Sequence, residues 1–217
     1  MQGNFRFQSL MWQLEKQLSA PLPGLEKQLQ MAPPYREVPN EAWVMAQNPK
    51  IAAVLIPLLQ RGETVQVVFT KRKSYPGVHS DQVSFPGGKT EPEDASLLAT
   101  ALRESEEEIG LPLEKTHVLG ALTPLYIPPS NFLVHPFVAG ITEASQWTLQ
   151  EAEVAALLEI PLPYLLNPHS RTTKWIEVGG SSRQVPGFQW EDHFIWGATA
   201  MMLEEFLGVL SSSLEGE

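Results

Sequence analysis

The sequence predicts an α/β (α+β) fold in which a mixed β-sheet lies between helices. Apolar segments typical of strands alternate with a few helical segments along most of the chain. The chain has 217 residues, 43% of them hydrophobic, which is enough for one substantial core with an appendage. No internal repeat is evident. We therefore expect a main domain over residues 48–217 and an N-terminal extension over residues 1–47.

The extension begins with a predicted amphipathic helix around residues 5–18. Apolar residues recur there at helical spacing, namely Phe7, Leu10, Met11, Leu14 and Leu18. This helix would pack on the core or on a second subunit. Five prolines between residues 20 and 40 then favour an extended, meandering connection.

From residue 50 the pattern changes to strands. Residues 51–59 are typical of a buried strand, and a turn at 61–63 leads to an antiparallel neighbour at 64–71. Residues 117–123 and 134–142 are also strand-like. A short helix is predicted at 151–158, since an isoleucine-proline pair follows it.

The C-terminal part is predicted to contain a hairpin and a helix. Residues 172–178 and 182–185 would form the hairpin around Gly179-Gly180. A final helix is expected over residues 198–210. The sheet would therefore have helices on both sides.

A further helix, predicted to end at Gly110, is rich in glutamates. At 100° per residue, Glu104, Glu107 and Glu108 fall within one sector of about 100°. The opposite, core-facing side is apolar or small: Leu98, Ala101, Leu102, Ser105 and Ile109. A solvated acidic face is the ordinary explanation for such a run. However, these glutamates occupy the last two turns, where the helix dipole disfavours negative charge, and they repel one another.

A divalent cation would turn this repulsion into a binding site. Mg²⁺ prefers carboxylate oxygens, water and substrate phosphates. The preceding Pro86-Gly87-Gly88 turn would also bring backbone close to whatever the carboxylates hold. The sequence therefore predicts a metal-dependent phosphate site.

The ends of this helix carry local signals. Thr90 and Glu93 could form a capping box, or Asp94 could cap the helix directly. Gly110 is well placed to end it in a left-handed conformation. Arg103 lies four residues before Glu107, so we expect it to orient that carboxylate.

Composition limits the classes of function. There are 15 lysines and arginines against 25 acidic residues, and the net charge of −10 argues against a nucleic-acid or anionic-membrane surface. The absence of cysteine excludes disulfides, thiolate zinc sites and cysteine nucleophiles. The sequence contains no apolar run of about 18 residues, so we expect no transmembrane helix. It also contains no uninterrupted apolar h-region near the start, so we expect no signal peptide. We therefore expect a cytoplasmic protein.

The glutamate motif resembles a known signature. Gly88, Arg103-Glu104, Glu107-Glu108 and Gly110-Leu111 are similar to the Nudix box of hydrolases that act on nucleoside diphosphates linked to another moiety. Gly88 and Arg103 stand one residue further apart than in the general box, and Asp94 replaces its first glutamate. Both features are similar to those of the coenzyme A pyrophosphatase branch of this family. Three further segments also resemble that branch, namely residues 70–88, 125–138 and 196–206. The resemblance covers roughly residues 48–210 and implies a Nudix-type α/β/α sandwich.

The resemblance implies a catalytic centre built around Mg²⁺ or Mn²⁺. Glu104, Glu107 and Glu108 would ligate the metal, with a backbone carbonyl of Gly87 or Gly88 as a further ligand. Arg103 would orient these groups. One of the glutamates, or a loop acid, would accept the proton of the attacking water. Glu153, or its neighbour Glu151, is the candidate loop acid, although a solvated surface position is an equal alternative for either.

Four further residues are expected to bind substrate. Arg72, within a short basic cluster, would hold the diphosphate or a 3′-phosphate, unless it simply caps a strand. His79 lies in the branch's substrate signature and would be near the phosphates, although a lone histidine is more often structural. Ser130 and Asn131 follow two prolines in a loop and are expected near the substrate. The four tryptophans of the second half could stack on an adenine, but core packing is the commoner fate of such residues, so none is assigned to the site.

Three functions stay open. The leading one, by resemblance, is hydrolysis of coenzyme A or its thioesters to 4′-phosphopantetheine and adenosine 3′,5′-bisphosphate. Gly77 stands where the branch's pattern has an arginine, so a Nudix enzyme for ADP-ribose or a dinucleotide is the alternative. The third possible function is that of a non-catalytic Nudix-fold binding protein. The intact carboxylates disfavour it, because a protein without catalysis would be expected to lose them. The partner would be a small nucleoside diphosphate derivative, and by family analogy a homodimer is one expected assembly.

Overall fold

The computed structural model describes residues 2–73, 82–143, 146–178 and 180–214. Its helices are α1 (Gln2–Leu18), α2 (Gly24–Gln28), α3 (Glu41–Ala46), α4 (Leu97–Ile109), α5 (Leu162–Leu166) and α6 (Gly197–Leu214). Its strands are β1 (Lys50–Arg61), β2 (Thr64–Arg72), β3 (Val83–Ser84), β4 (Gly87–Lys89), β5 (Thr116–Ala121), β6 (Leu125–Ile127), β7 (Phe132–Ile141), β8 (Val154–Pro161), β9 (Arg171–Val178), β10 (Ser181–Trp190) and β11 (His193–Trp196). Short 3₁₀ turns cover Leu29–Met31, Leu113–Lys115, Pro128–Ser130 and Pro168–Ser170.

The large sheet is mixed, as predicted. Its main path runs β3-β2-β1-β7-β5, with β4 added to β1, β6 to β7 and β8 to β2. The β1–β7 pair is parallel, and the other pairs are antiparallel. A second, three-stranded sheet has the order β11-β10-β9.

One edge of β1 changes partner along its length. Ala52, Ala53 and Val54 pair with β4, whereas the stretch from Leu58 to Arg61 pairs with β2. Between them the sheet opens at the Pro86-Gly87-Gly88 turn, where the N–H of Leu55 donates to the carbonyl of Pro86 at 2.9 Å. At this gap, helix α4, which packs on one face of the sheet, comes close to the opposite face.

Alternation along β1 sends side chains into two apolar clusters. Leu55 and Leu59 pack on one face with Ile109 of α4. Ile56 and Leu58 belong to the larger cluster on the other face, together with Leu14 of α1, Phe206 of α6 and many others. The sheet therefore lies between α4 on one side and α1 with α6 on the other, which confirms the predicted α/β/α arrangement. Within the described ranges, no helix is long and apolar enough to cross a membrane.

Buried ionic contacts join the first 47 residues to α6. The Glu205 carboxylate is fully buried and accepts from Gln28 Nε2 at 2.7 Å and from the N–H of Thr123 at 3.2 Å. The buried Glu204 pairs with Lys27 at 3.3 Å and with Arg171 at 3.0 Å. Carboxylates are tolerated in such positions only when they are paired or hydrogen-bonded. The division at residue 47 itself stays a prediction.

Two predictions of secondary structure are wrong. Residues 154–161 form strand β8 instead of the predicted helix at 151–158, because they pair along β2 and bury Val154, Leu158 and Ile160. The proline-rich stretch at 20–40 is not purely extended, since α2 and a 3₁₀ turn lie between its proline pairs. The first helix, the hairpin strands and the last helix are confirmed, although α6 continues to Leu214. Gly179 of the hairpin turn lies outside the described residues.

Candidate active site

The glycines of the turn allow a carboxylate to approach the backbone. A Cβ on Gly88 would lie 2.3 Å from Glu104 Oε2, so only glycine leaves room for that carboxylate. Gly87 has φ of +141°, and a Cβ there would meet the carbonyl oxygen of Ala53 at 2.4 Å. Both glycines are therefore required, one by the adjacent carboxylate and the other by the backbone path.

Helix α4 aims the carboxylates at this turn. Its N-cap is Ser96, whose Oγ accepts from the N–H of Ala99 at 3.1 Å. Neither the predicted Thr90–Glu93 capping box nor an Asp94 cap is formed at this helix end. Gly110 ends the helix in the left-handed conformation, with φ of 66°, as predicted.

Asp94 has another function, which is to anchor Arg103. Its carboxylate accepts from Arg103 Nε at 2.9 Å and Nη2 at 3.0 Å, and from Thr100 Oγ1 at 2.8 Å. The hydrogen bonds from Arg103 hold the pKa of Asp94 well below its usual range. The bidentate geometry fixes the plane of the guanidinium. Arg103 is thereby held against the loop before α4.

From this position Arg103 reaches two of the glutamates. Its Nη1 lies 3.1 Å from Glu104 Oε1 and 3.2 Å from Glu107 Oε2. The Asp94 hydrogen bond, together with Glu104, raises the pKa of Arg103 above its ordinary value. Arg103 therefore stays charged and restrains both carboxylates.

The other glutamate of the face, Glu108, is buried. It is 5% exposed, and its Oε2 accepts from the N–H of Gly87 at 3.1 Å. Burial raises the pKa of Glu108 to about 7, and repulsion from Glu104 and Glu153 adds to the shift. Burial is also the main cause of a raised pKa at Glu104, where Glu107 and Glu153 contribute repulsion. Negative charge is thus crowded at this point.

A cavity of about 1150 Å³ adjoins these carboxylates. Glu104, Glu108 and the two glycines form part of its wall. Other parts of its wall come from the connection before α3, the turn after β6 and the start of α6. Aromatic and apolar side chains make up much of this wall: Tyr35, Val38, Trp43, Val54, Phe85, Ile127, Phe132, Val134, Trp196 and Met202. The cavity wall thus combines carboxylates with a large apolar and aromatic surface.

The structure brings three further predicted residues to this cavity. Arg72, Ser130 and Glu153 line it. Arg72 attracts the Glu108 carboxylate, and its buried Nε has no hydrogen-bond partner among the described residues. Glu153 reaches the cluster because β8 pairs with β2, so that the N–H of Lys73 donates to the Glu153 carbonyl at 2.9 Å.

The remaining predicted residues are placed differently. Glu107 has a side chain that is 57% exposed and does not line the cavity. The Asn131 amide accepts from Tyr126 Oη at 2.9 Å and donates to the carbonyl of Gln47 at 3.1 Å, so it holds the loop together. His79 lies outside the described residues, as does Gly77.

Several residues of the cavity wall are not predicted by the sequence. Arg36 belongs to the proline-rich stretch, Trp43 lies in α3, and Lys89 follows the glycine turn. Trp196 lines the cavity, although the sequence assigns none of the tryptophans to the site. The clustering of prolines before Trp43 was visible, but no motif linked that segment to the site.

The donor set is suited to a divalent cation. Glu104 and Glu108 repel each other, and a Cβ at Gly88 would fill the space that Glu104 uses. In the part of the chain that the structure describes, no three histidine or acidic side chains already form a metal-binding group. Arg103 holds Glu104 and Glu107, and Gly87 holds Glu108. Small carboxylate rotations away from these contacts would present oxygen ligands of the type that Mg²⁺ prefers.

The fold and the site define an α/β/α protein with a helix-borne carboxylate cluster at a glycine turn. Residues 49–176 match the family model described as the NUDIX domain. The chain is 41% identical over 160 residues to "Uncharacterized Nudix hydrolase NudL" of Yersinia enterocolitica, covering 72% of this chain and 79% of that protein. It is 38% identical over 176 residues to the protein of the same name from Yersinia pestis, covering 81% and 87%. This chain belongs to the Nudix family, and it is a Nudix hydrolase.

A solved structure agrees at the level of fold. The MutT/nudix family protein from Enterococcus faecalis aligns with a TM-score of 0.51 at 16% identity, covering 83% of this chain and 66% of that one. Nudix hydrolases generally use divalent metal ions, which agrees with the chemistry of the carboxylate cluster.

Proposed function

We propose that this protein is a Mg²⁺- or Mn²⁺-dependent diphosphatase for coenzyme A or its thioesters. The products would be 4′-phosphopantetheine and adenosine 3′,5′-bisphosphate. The observation that carries this proposal is the position of Glu104 and Glu108 in the wall of a cavity large enough for a nucleotide derivative. The apolar and aromatic side chains of the same wall suit an adenine ring and a pantetheine arm.

Glu104, Glu107 and Glu108 are the proposed metal ligands, with the Gly88 carbonyl as a further one. A bound divalent cation polarises a phosphoryl oxygen and lowers the pKa of a water. Arg103 keeps Glu104 and Glu107 in position through contacts of 3.1 and 3.2 Å. Arg72, whose Nε is unpartnered in the part of the chain that the structure describes, would donate to an oxygen of the diphosphate.

Glu108 and Glu153 are the candidate proton acceptors. Burial raises the pKa of Glu108 to about 7 in the metal-free site, and a bound divalent cation would lower it again. Glu153 also lines the cavity and is not among the proposed metal ligands, so it would stay free to accept the proton. The base removes a proton from the attacking water as the phosphorus–oxygen bond of the diphosphate breaks.

A substrate panel tests the proposal directly. Coenzyme A, ADP-ribose and a dinucleoside diphosphate are incubated with the protein and Mg²⁺ or Mn²⁺, and the products are separated by chromatography. We expect cleavage of coenzyme A, and a loss of at least about 100-fold in kcat/KM for Glu104→Gln. The matched control is Glu106→Gln, which removes the same charge from an exposed position on the same helix.

The outcomes separate the candidate functions. Cleavage of ADP-ribose or the dinucleotide, with coenzyme A untouched, would favour the alternative specificity. Binding without cleavage of any compound would indicate a non-catalytic Nudix-fold protein. Full activity in Glu104→Gln would contradict the proposed metal site.

A further inference from the structure

Arg36 is a cation in the cavity wall that the proposed hydrolysis does not use. It lies in the connection between the Leu29–Met31 turn and α3, and its side chain faces the cavity. Its Nη2 donates to the carbonyl of Tyr126. Burial lowers the pKa of Arg36, and within the described residues no carboxylate counters this effect. A guanidinium has five N–H donors, so most of them stay available to a ligand.

This guanidinium is remote from the carboxylate cluster. Tyr126 is on β6 and Gly88 is on β4, with β7 and β1 between them. Three strand spacings therefore separate their backbones, about 14 Å. A diphosphate is much shorter than this distance. Arg36 and the cluster at Glu104 and Glu108 must consequently contact different groups of one ligand.

A second polar group with hydrogen-bonding capacity to spare lies on the same side of the cavity. The Ser130 Oγ is buried and makes no hydrogen bond within the described residues. Ser130 ends the 3₁₀ turn that directly follows β6, the strand to which Arg36 is bound. The ring of Trp43 stands edge-on to Tyr126, with centroids 6.1 Å apart, and also lines the cavity. An aromatic surface is thus adjacent to a cation and a free hydroxyl.

We propose that Arg36, assisted by Ser130, binds a phosphomonoester of the substrate that is separate from the hydrolysed diphosphate. This subsite selects nucleotides with an additional phosphate on the ribose, and it rests on the proposed function. A phosphate offers several acceptor oxygens to the guanidinium fork, and it supplies the charge that Arg36 lacks in the protein. Trp43 provides a surface for the neighbouring base.

Calorimetry without metal tests the subsite independently of catalysis. The probes are adenosine 3′,5′-bisphosphate and adenosine 5′-monophosphate, which differ by one phosphate. We expect the wild type to bind the bisphosphate about 10- to 100-fold more tightly. Arg36→Gln should abolish this ratio and leave the monophosphate affinity unchanged. Lys115→Gln, which removes a cation outside the cavity, should preserve it.

Kinetics with Mg²⁺ distinguish recognition from a structural role. Coenzyme A and 3′-dephospho-coenzyme A are compared at steady state. In Arg36→Gln the KM for coenzyme A should rise about 10- to 100-fold, with kcat little changed and the dephospho compound unaffected. An equal loss on both compounds would assign Arg36 to holding the Tyr126 loop and would overturn the inference.

Failure of the inference and failure of the proposed function give different results. Equal wild-type affinity for the two adenosine phosphates, or a ratio retained in Arg36→Gln, refutes the subsite even if coenzyme A is hydrolysed. If neither coenzyme A compound is hydrolysed by the wild type, the proposed function fails. The calorimetric ratio then still decides whether Arg36 binds the added phosphate.

Discussion

Replacing Glu108 by glutamine tests the electrostatics of the site in the absence of metal and substrate. The carboxyl group is 5% exposed and has a pKa of about 7, raised mainly by burial from 4.5. The folded state therefore binds this proton more tightly than the unfolded state. The resulting stabilisation is complete below pH 4.5 and is lost as the pH rises through about 7. The difference corresponds to about 3 kcal/mol of unfolding free energy.

Glutamine keeps the acceptor for the Gly87 N–H but cannot ionise. The free energy of unfolding is measured by urea denaturation between pH 4.5 and 8, with EDTA present. We expect Glu108→Gln to become more stable relative to the wild type by about 3 kcal/mol as the pH rises. Glu106→Gln serves as the control because that residue is exposed, and it should follow the wild type. If the Glu108→Gln curve stays within about 0.5 kcal/mol of the wild-type curve, the burial argument is wrong.

Three other substitutions examine neighbouring parts of the structure. Asp94→Asn should lower kcat about 10-fold with less change in KM, since Arg103 loses its bidentate anchor. Restored activity in Asp94→Glu would support a positioning role for Asp94, and an unchanged kcat in Asp94→Asn would contradict that role. Gly88→Ala should leave the protein folded but weaken Mn²⁺ binding in calorimetry at least about 10-fold, because the added Cβ displaces the flexible Glu104 carboxylate. Leu14→Ala should reduce the free energy of unfolding by about 2–5 kcal/mol in one transition, because this fully buried residue joins α1 to the core. A separate early transition would show instead that the extension unfolds alone.

The chemical end of the site could be predicted because it depends on local sequence. The spacing of Glu104 and Glu108 on one helix places both carboxylates on one side, whatever packs against the other. Gly110 ends the helix because glycine readily adopts the left-handed conformation, which is a local property of the chain. The N-cap residue of the same helix could not be predicted from the sequence, because serine, threonine and aspartate can each cap a helix. Asp94 was then used by Arg103, nine residues away, and Ser96 became the cap.

Non-local pairing explains what the sequence did not reveal. The segment at 154–161 has residues that suit a helix or a strand, and only its alignment with β2 decides between them. That same pairing carries Glu153 to the carboxylate cluster. Arg36 joins the cavity because the chain before α3 passes over β6, and proline spacing contains no information about that route.

The cavity wall combines different parts of the chain. Glu104, Glu108 and the glycine turn lie within the segment that matches the family model, whereas Arg36, Trp43 and Trp196 lie outside it. The groups suited to breaking a diphosphate thus come from the family segment alone, and the rest of the wall comes both from that segment and from its two flanks. Because α2 and α6 fix those outer segments through Gln28 and Glu205, the chamber depends on both termini being folded against the sheet. Substitutions at Arg36 should therefore change which substrate is accepted, and substitutions at Glu104 should change whether any is cleaved.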